Sequence, residues 1–405
     1  MRGGISLPAG GRYSASAEKD VDMGDERIRI PFNKPFIAGK ELYNIAQAVL
    51  KGHLAGDGHF TKLCHTWLEE KICCRKALLT HSCTAALEMS AILCDITPGD
   101  EIIVPSFTFV STANAFVLRG GVPVFIDIRP DTLNMDENRI HNAITKKTKV
   151  IVPVHYAGVP CAMDEIMHLA KRHNLLVVED AAQALLSTYK GKCLGAIGHL
   201  GALSFHETKN IMSGEGGALL VNDDRFIKRS EIIREKGTDR AQFFRGEIDK
   251  YSWVDIGSSY LPSELIGAFL YAQMEQAEQI IAKRRSIFDL YYSLLRPLEE
   301  KELIRLPYVT EGDCTSNGHI FYIITNSLED RTNLIEYLRK NDILSVFHYV
   351  PLHSSPAGMK YGRIAGSMDV TNDISERLLR LPMYYEMQQD DVSCIVGRIR
   401  NFFHE

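Results

Sequence analysis

Between Lys76 and Asp180 the chain repeats one pattern, a short unbroken apolar run followed by a stretch of different periodicity. KALLT (76–80), EIIVPS (101–106), PVFIDI (123–128), VIVPVH (150–155) and LLVVED (175–180) are rich in Val, Ile and Leu, with no apolar/polar alternation. Such a strand has no face to give to water, so it belongs in a parallel sheet covered on both sides. Between the runs, TAALEMSAILCD (84–95), TANAFVLRGG (112–121) and MDEIMHLAKRHN (163–174) have helical spacing. The repetition predicts an open, doubly wound, mostly parallel α/β domain.

The rest of the chain is read around that core. GALSFH (201–206) and GGALLV (216–221) form two further strands about a polar, glycine-rich loop. AGKELYNIAQAVLKG (38–52) predicts a helix with Leu42, Ile45, Ala46, Val49 and Leu50 on one apolar stripe, and a single long helix is expected from Ser263 towards Leu295. The expected organisation is a flexible tail over residues 1–27, a large domain over 28–296 and a smaller C-terminal α/β domain over 297–405. Composition narrows the function. Lys and Arg number 46 against 51 Asp and Glu, a net charge of −5, without the basic excess of a dedicated nucleic-acid binder. No run approaches the roughly 18 apolar residues that span a bilayer. The tail lacks the apolar segment of a secretory signal. Nine cysteines without CxxC or zinc-like spacing imply a reduced, cytoplasmic setting, no structural disulfide and no metal.

In an open α/β sheet, ligands bind at the carboxyl ends of the strands. After KALLT, His81-Ser82-Cys83-Thr84 opens a helix, which is either an anion cradle or an ordinary N-cap. There is no GxxxxGK[ST], and SGEGG (213–217) leads into a strand, so neither nucleotide fingerprint is present. Phe107 and Phe109 after EIIVPS are either a stacking platform or core. Asp180 ends LLVVED, where a buried carboxylate needs a partner, either a cationic ring nitrogen or a nearby Arg or Lys. SFHETKN carries Lys209 just past a strand, as a solvated surface charge or, if desolvated, as an amine able to form a Schiff base. Taken together in this order, the four describe a pyridoxal phosphate (PLP) site, in which the acid keeps the ring an electron sink and the lysine moves protons.

IPFNKP, GDGHFT, HSCTAALEM, PSFTFVSTANA, DAAQA, SFHETKN, GEGGALL and VPLH resemble, in content and order, the DegT/DnrJ/EryC family of sugar aminotransferases. The resemblance runs from about Ile30 to the C-terminus. It implies the fold-type-I PLP-dependent transferase fold and a homodimer with shared active sites. It makes Lys209 the cofactor lysine, places Asp180 at the pyridine nitrogen and Gln183 near the ring hydroxyl, and stacks Phe109 on the ring. Cys83, Thr84 and Ser204 would hold the phosphate, although the family usually has Gly where Cys83 stands. Ser259, in Gly257-Ser258-Ser259-Tyr260, takes the place of an Asn that many relatives supply from the partner subunit. Phe32, Asp57, His348, Tyr349 and His353 are candidates for bordering the sugar. Retention of Lys209, where sugar dehydratases of the family carry His, implies transamination. PSFTFVSTANAFVLRG, VIVPVHYAGV, SFHETKN and IREKGT are most similar to the branch that moves the amino group of L-glutamate to C4 of dTDP-4-dehydro-6-deoxyglucose. Action at C3, the opposite C4 stereochemistry and a non-catalytic regulatory role on the same scaffold are the alternatives.

Overall fold

A computed structural model describes residues 29–405; the tail expected over residues 1–27 lies outside them. In chain order the elements that shape the site are α1 (Glu41–Leu50), α2 (His59–Ile72), β1 (Lys76–Thr80), α3 (Cys83–Leu93), β2 (Glu101–Pro105), α4 (Val110–Val117), β3 (Val122–Ile126), β4 (Thr148–Ile151), α5 (Met163–His173), β5 (Leu176–Asp180), β6 (Leu200–Ser204) and β7 (Gly217–Val221). They are followed by α6 (Glu264–Glu275), α7 (Ala277–Glu300), β8 (Ile304–Arg305), β9 (Phe321–Thr325), β10 (Val346–Phe347), β11 (Arg363–Ile364), β12 (Leu378–Leu381) and α8 (Gln389–Phe402). Eight strands form one sheet in the order β1-β7-β6-β5-β4-β2-β3-β11. Its pairings are parallel except for the two made by β7.

The unbroken apolar runs are explained by what covers each face. Successive strand residues point to opposite sides. On one side Leu78, Val104, Val178 and Leu219 pack with Leu87 and Ala91 of α3. On the other, Ala77, Leu79, Leu203 and Leu220 pack with Leu68 of α2 and Leu270 of α6. A second, four-stranded antiparallel sheet, β8-β9-β12-β10, packs Phe321, Ile323, Leu379 and Leu381 against Tyr291 and Leu295 of α7 and Ile395 and Ile399 of α8.

Three features depart from expectation. The helical stretch expected from Ser263 is two helices, α6 and α7, parted at Gln276 (φ −107°, ψ 7°). The chain crosses the expected boundary at 296/297 twice: α7 continues to Glu300, and β11 returns to the large sheet beside β3. There Arg363 clasps Glu101 through Nε and Nη2, each at 2.8 Å. The third departure is the buried face of α1. It docks through Glu41, Asn44 and Ala48, while Leu42 and Leu50 of the apolar stripe are 77% and 79% exposed. Polar groups win because the contact is built on hydrogen bonds. Glu41 accepts from the N–H groups of Ala38 and Gly39 and from Gln273 Nε2, and Asn44 donates to the Ala268 carbonyl.

Candidate active site

Strand ends on one edge of the large sheet meet around a cavity of about 460 Å³. β5 delivers Asp180, β6 delivers Ser204, β1 runs into the N-terminus of α3, and β2 runs into Phe109 at the start of α4. From the C-terminal part, His319, His348, Tyr349 and Arg380 complete the wall.

At the start of α3 the Ser82 hydroxyl accepts from the Ala85 N–H at 3.1 Å, the usual N-cap bond. Among the described residues the N–H groups of Cys83 and Thr84 meet no acceptor, and the helix end adds its partial positive charge there. Thr84 Oγ1 shares a hydrogen bond with Ser111 Oγ at 2.8 Å, and Ser204 stands opposite at the end of β6. Gly217 permits the approach of β7, since a Cβ there would lie 2.4 Å from the Cys83 nitrogen. The Cys83 thiol also lines the cavity; burial pushes its pKa well up, and the Asp180 charge adds to the effect.

Asp180 is 5% exposed. Its Oδ2 accepts from Thr112 Oγ1 at 2.7 Å and its Oδ1 from the Ala182 N–H at 3.1 Å, and no cation pairs with it among the described residues. Gln183 is fixed at both ends: Oε1 accepts from the Ala157 N–H at 2.7 Å and Nε2 donates to Tyr349 Oη at 3.1 Å. Phe109, 58% exposed, lines the same space. Lys209 lies on the loop after β6, its backbone N–H bonded to the His206 carbonyl at 2.9 Å. Desolvation lowers its pKa from 10.5; Cys83 and Asp180 oppose that shift, and the Arg380 charge adds to it. The shift favours the neutral amine, the form that acts as nucleophile and base.

Of the sugar-side candidates, Phe32, His348 and Tyr349 line the cavity. Asp57 and His353 do not. Asp57 is taken by the buried Arg234 guanidinium, and His353 Nδ1 is bonded to Ser106 Oγ at 2.7 Å, so both are held in the scaffold. Ser259 is exposed and lies outside the cavity of its own chain, where its backbone pairs with Glu235 in an isolated antiparallel bridge. Sequence reasoning missed Arg284, His319 and Arg380, which carry no motif. Asn210 bonds both Asn317 and His319: its Nδ2 donates to the Asn317 carbonyl at 3.0 Å, which leaves Oδ1 to accept from His319 Nδ1 at the same distance. Burial keeps His319 neutral, so its Nε2 is the acceptor nitrogen.

A sequence profile of the DegT/DnrJ/EryC1/StrS aminotransferase family matches residues 37–400. The chain belongs to this family. It is 33% identical over 387 residues to the uncharacterized protein MJ1066 of Methanocaldococcus jannaschii, covering 93% of this chain and 99% of that protein. It is 29% identical to the GDP-perosamine synthase of Escherichia coli O157:H7, with 93% and 99% covered. Among solved structures, Spr1654 from Streptococcus pneumoniae in its PLP form superposes with a TM-score of 0.84 at 26% identity, covering 93% of this chain and 98% of that one.

Aminotransferases of this family depend on PLP. The residues around the cavity fit that group by their chemistry. Open backbone N–H donors and hydroxyls suit a phosphate, an unpaired buried carboxylate suits a cationic ring nitrogen, and a desolvated lysine suits an aldehyde. No helix of the described residues is long and apolar enough to cross a membrane.

Proposed function

We propose that the protein is a nucleotide-sugar aminotransferase that moves the amino group of L-glutamate to C4 of dTDP-4-dehydro-6-deoxy-D-glucose, releasing 2-oxoglutarate and dTDP-4-amino-4,6-dideoxy-D-galactose. This is the activity of the transaminase of enterobacterial common antigen synthesis, whose sequence strings it resembles. The observation that carries the transaminase reading is the pairing, in one cavity, of a desolvated Lys209 with an Asp180 that forms no ion pair among the described residues.

Bound PLP would supply an electron sink for the charge left when a C–H bond breaks beside the transferred nitrogen. The Cys83 and Thr84 N–H groups, with the Thr84 and Ser204 hydroxyls, would hold its phosphate. Phe109 would cover the ring face. Asp180, held by Thr112 and the Ala182 N–H, would meet the ring nitrogen and favour its protonated form. Gln183, locked by Ala157 and Tyr349, would present a fixed edge to the ring hydroxyl. Lys209 takes the proton from the α carbon of glutamate and, in the second half of the cycle, delivers one to C4 of the sugar. One cavity serves both substrates in turn, so the kinetics are of double-displacement form.

A cytoplasmic homodimer with shared sites completes the reading. The exposed Leu42, Val49 and Leu50 of α1 and Trp253, at 79% exposure, supply apolar surface for the partner, and Ser259 lies outside its own cavity, where a partner's phosphate contact would need it. The test is product analysis by NMR after incubation with PLP, L-glutamate and dTDP-4-dehydro-6-deoxyglucose. An axial amine at C4 is expected. An equatorial amine or amination at C3 would keep the transaminase and overturn the sugar; absence of any aminated product, with cofactor bound, would overturn both.

A further inference from the structure

Arg380 is anomalous where it stands. It lies in β12, between β9 and β10, with Leu378, Leu379 and Leu381 all buried around it. Leu379 and Leu381 face the core built with α7 and α8. Leu378 and Arg380 face the other way, towards Tyr156, Tyr322 and the cavity. Among the described residues the Arg380 guanidinium donates no hydrogen bond and joins no ion pair, and its Nε is buried without a partner. Arg284, beside it, gives its donors to the Gly318, His319 and Met383 carbonyls. The contact that holds Arg380 is the face of Phe32, 4.8 Å from its ring centroid. A desolvated cation with idle donors in a ligand cavity lacks a counter-ion that the described residues do not supply.

We infer that Arg380 is the carboxylate-binding residue for the amino donor, taking the α-carboxylate in a two-pronged contact when the donor enters and resting on Phe32 when the sugar replaces it. The inference rests on the proposed glutamate-dependent reaction. Position selects this anion over the diphosphate of the nucleotide sugar. The charge of Arg380 reaches Lys209, and in an α-amino acid the carboxylate sits on the same carbon as the reacting nitrogen. In the sugar the diphosphate leaves from C1, a whole ring away from the C4 that must meet Lys209. The planar fork of arginine matches a carboxylate.

The test compares wild-type and Arg380→Gln holoenzyme, with Arg380→Met as a second variant should Gln fold poorly. Calorimetric titration with glutarate, an unreactive dicarboxylate, should show binding weakened about 10- to 100-fold in the variant. The absorbance change on adding L-glutamate should slow to match. The rate at which the pyridoxamine-loaded enzyme reacts with keto sugar should stay within about 3-fold, and titration with dTDP should be unchanged. Equal glutarate affinity in wild type and variant would overturn the inference. So would a loss of dTDP affinity, which would give Arg380 to the diphosphate, or an equal loss in both half-reactions, which would make its role structural. Should wild-type enzyme fail to respond to glutamate, the donor assignment falls, and the glutarate comparison still decides whether Arg380 binds a carboxylate.

Discussion

Glu179 and Asp180 are neighbours at the end of one strand, both carboxylates and both buried, and the fold treats them as opposites. Strand alternation sends them to different faces. Glu179 points into the scaffold and is saturated: Oε1 accepts from the N–H groups of Ile197 and Gly198, and Oε2 from the Gly195 N–H and His155 Nε2. His155 Nδ1 in turn accepts from the Cys161 N–H, which fixes the proton on Nε2. Asp180 points into the cavity with two neutral donors and, among the described residues, no ion-pair partner. The saturated carboxylate is tied into the chain that shapes the site, and the other is left facing the cavity. Burial by itself marks neither as functional; incomplete pairing beside a cavity does.

The sharpest way to break that contrast is to remove the amine that shares the cavity with the open carboxylate. Lys209→Ala should lower turnover with glutamate and keto sugar on the order of 10⁴-fold, to background, while leaving the fold intact by circular dichroism. Next comes the crossed pair. Asp180→Asn should cost on the order of 10³-fold in kcat with little change in denaturant midpoint. Glu179→Gln should do the reverse, losing about 3 kcal/mol in urea unfolding because a buried carboxylate is replaced where four donors converge. If both substitutions lowered stability equally, the contrast would collapse. Thr112→Val tests the hold on Asp180 more gently. Losing one hydroxyl bond to Asp180 should cost about 10-fold in kcat, the effect of about 1.4 kcal/mol.

The smallest expected effect is in pH dependence. Cofactor loading needs the neutral Lys209 amine, so its rate should rise with pH and level off, with a midpoint below the 10.5 of an ordinary lysine because burial disfavours the ammonium. Arg380 pushes in the same direction, so Arg380→Gln should move that midpoint upwards. Stopped-flow absorbance over a pH series reads both. A midpoint that fell in the variant would contradict the placement of the two cations.

The residues legible in the sequence were those set by the strand ends. Unbroken apolar runs required a sheet covered on both faces, and the positions just past them, Cys83, Phe109, Asp180 and Lys209, converge because strand ends in a parallel sheet share an edge. What was hidden arrives from outside that repeat. Arg380 and His319 reach the cavity from the second sheet and its approach, and no spacing links them to Lys209. The α1 stripe pointed the wrong way because periodicity locates an apolar face without saying what covers it. Asp57 and His353 looked like polar loop residues near the site; Arg234 and Ser106 claim them, and such partners are distant in sequence. The one hint available for Arg380 was a charge amid LLRL, a pattern that in a buried strand asks for a counter-ion.

The central claim is that the cofactor is held on Lys209 at the open end of the large sheet. It is tested most directly by loading the protein with PLP, reducing it with borohydride, digesting it and locating the modification by mass spectrometry. The account predicts a pyridoxyl group on the peptide carrying Lys209 and on no other lysine, lost when glutamate is added before the reductant. A label on a different lysine, or an unlabelled Lys209 in protein that retains bound cofactor, would contradict it.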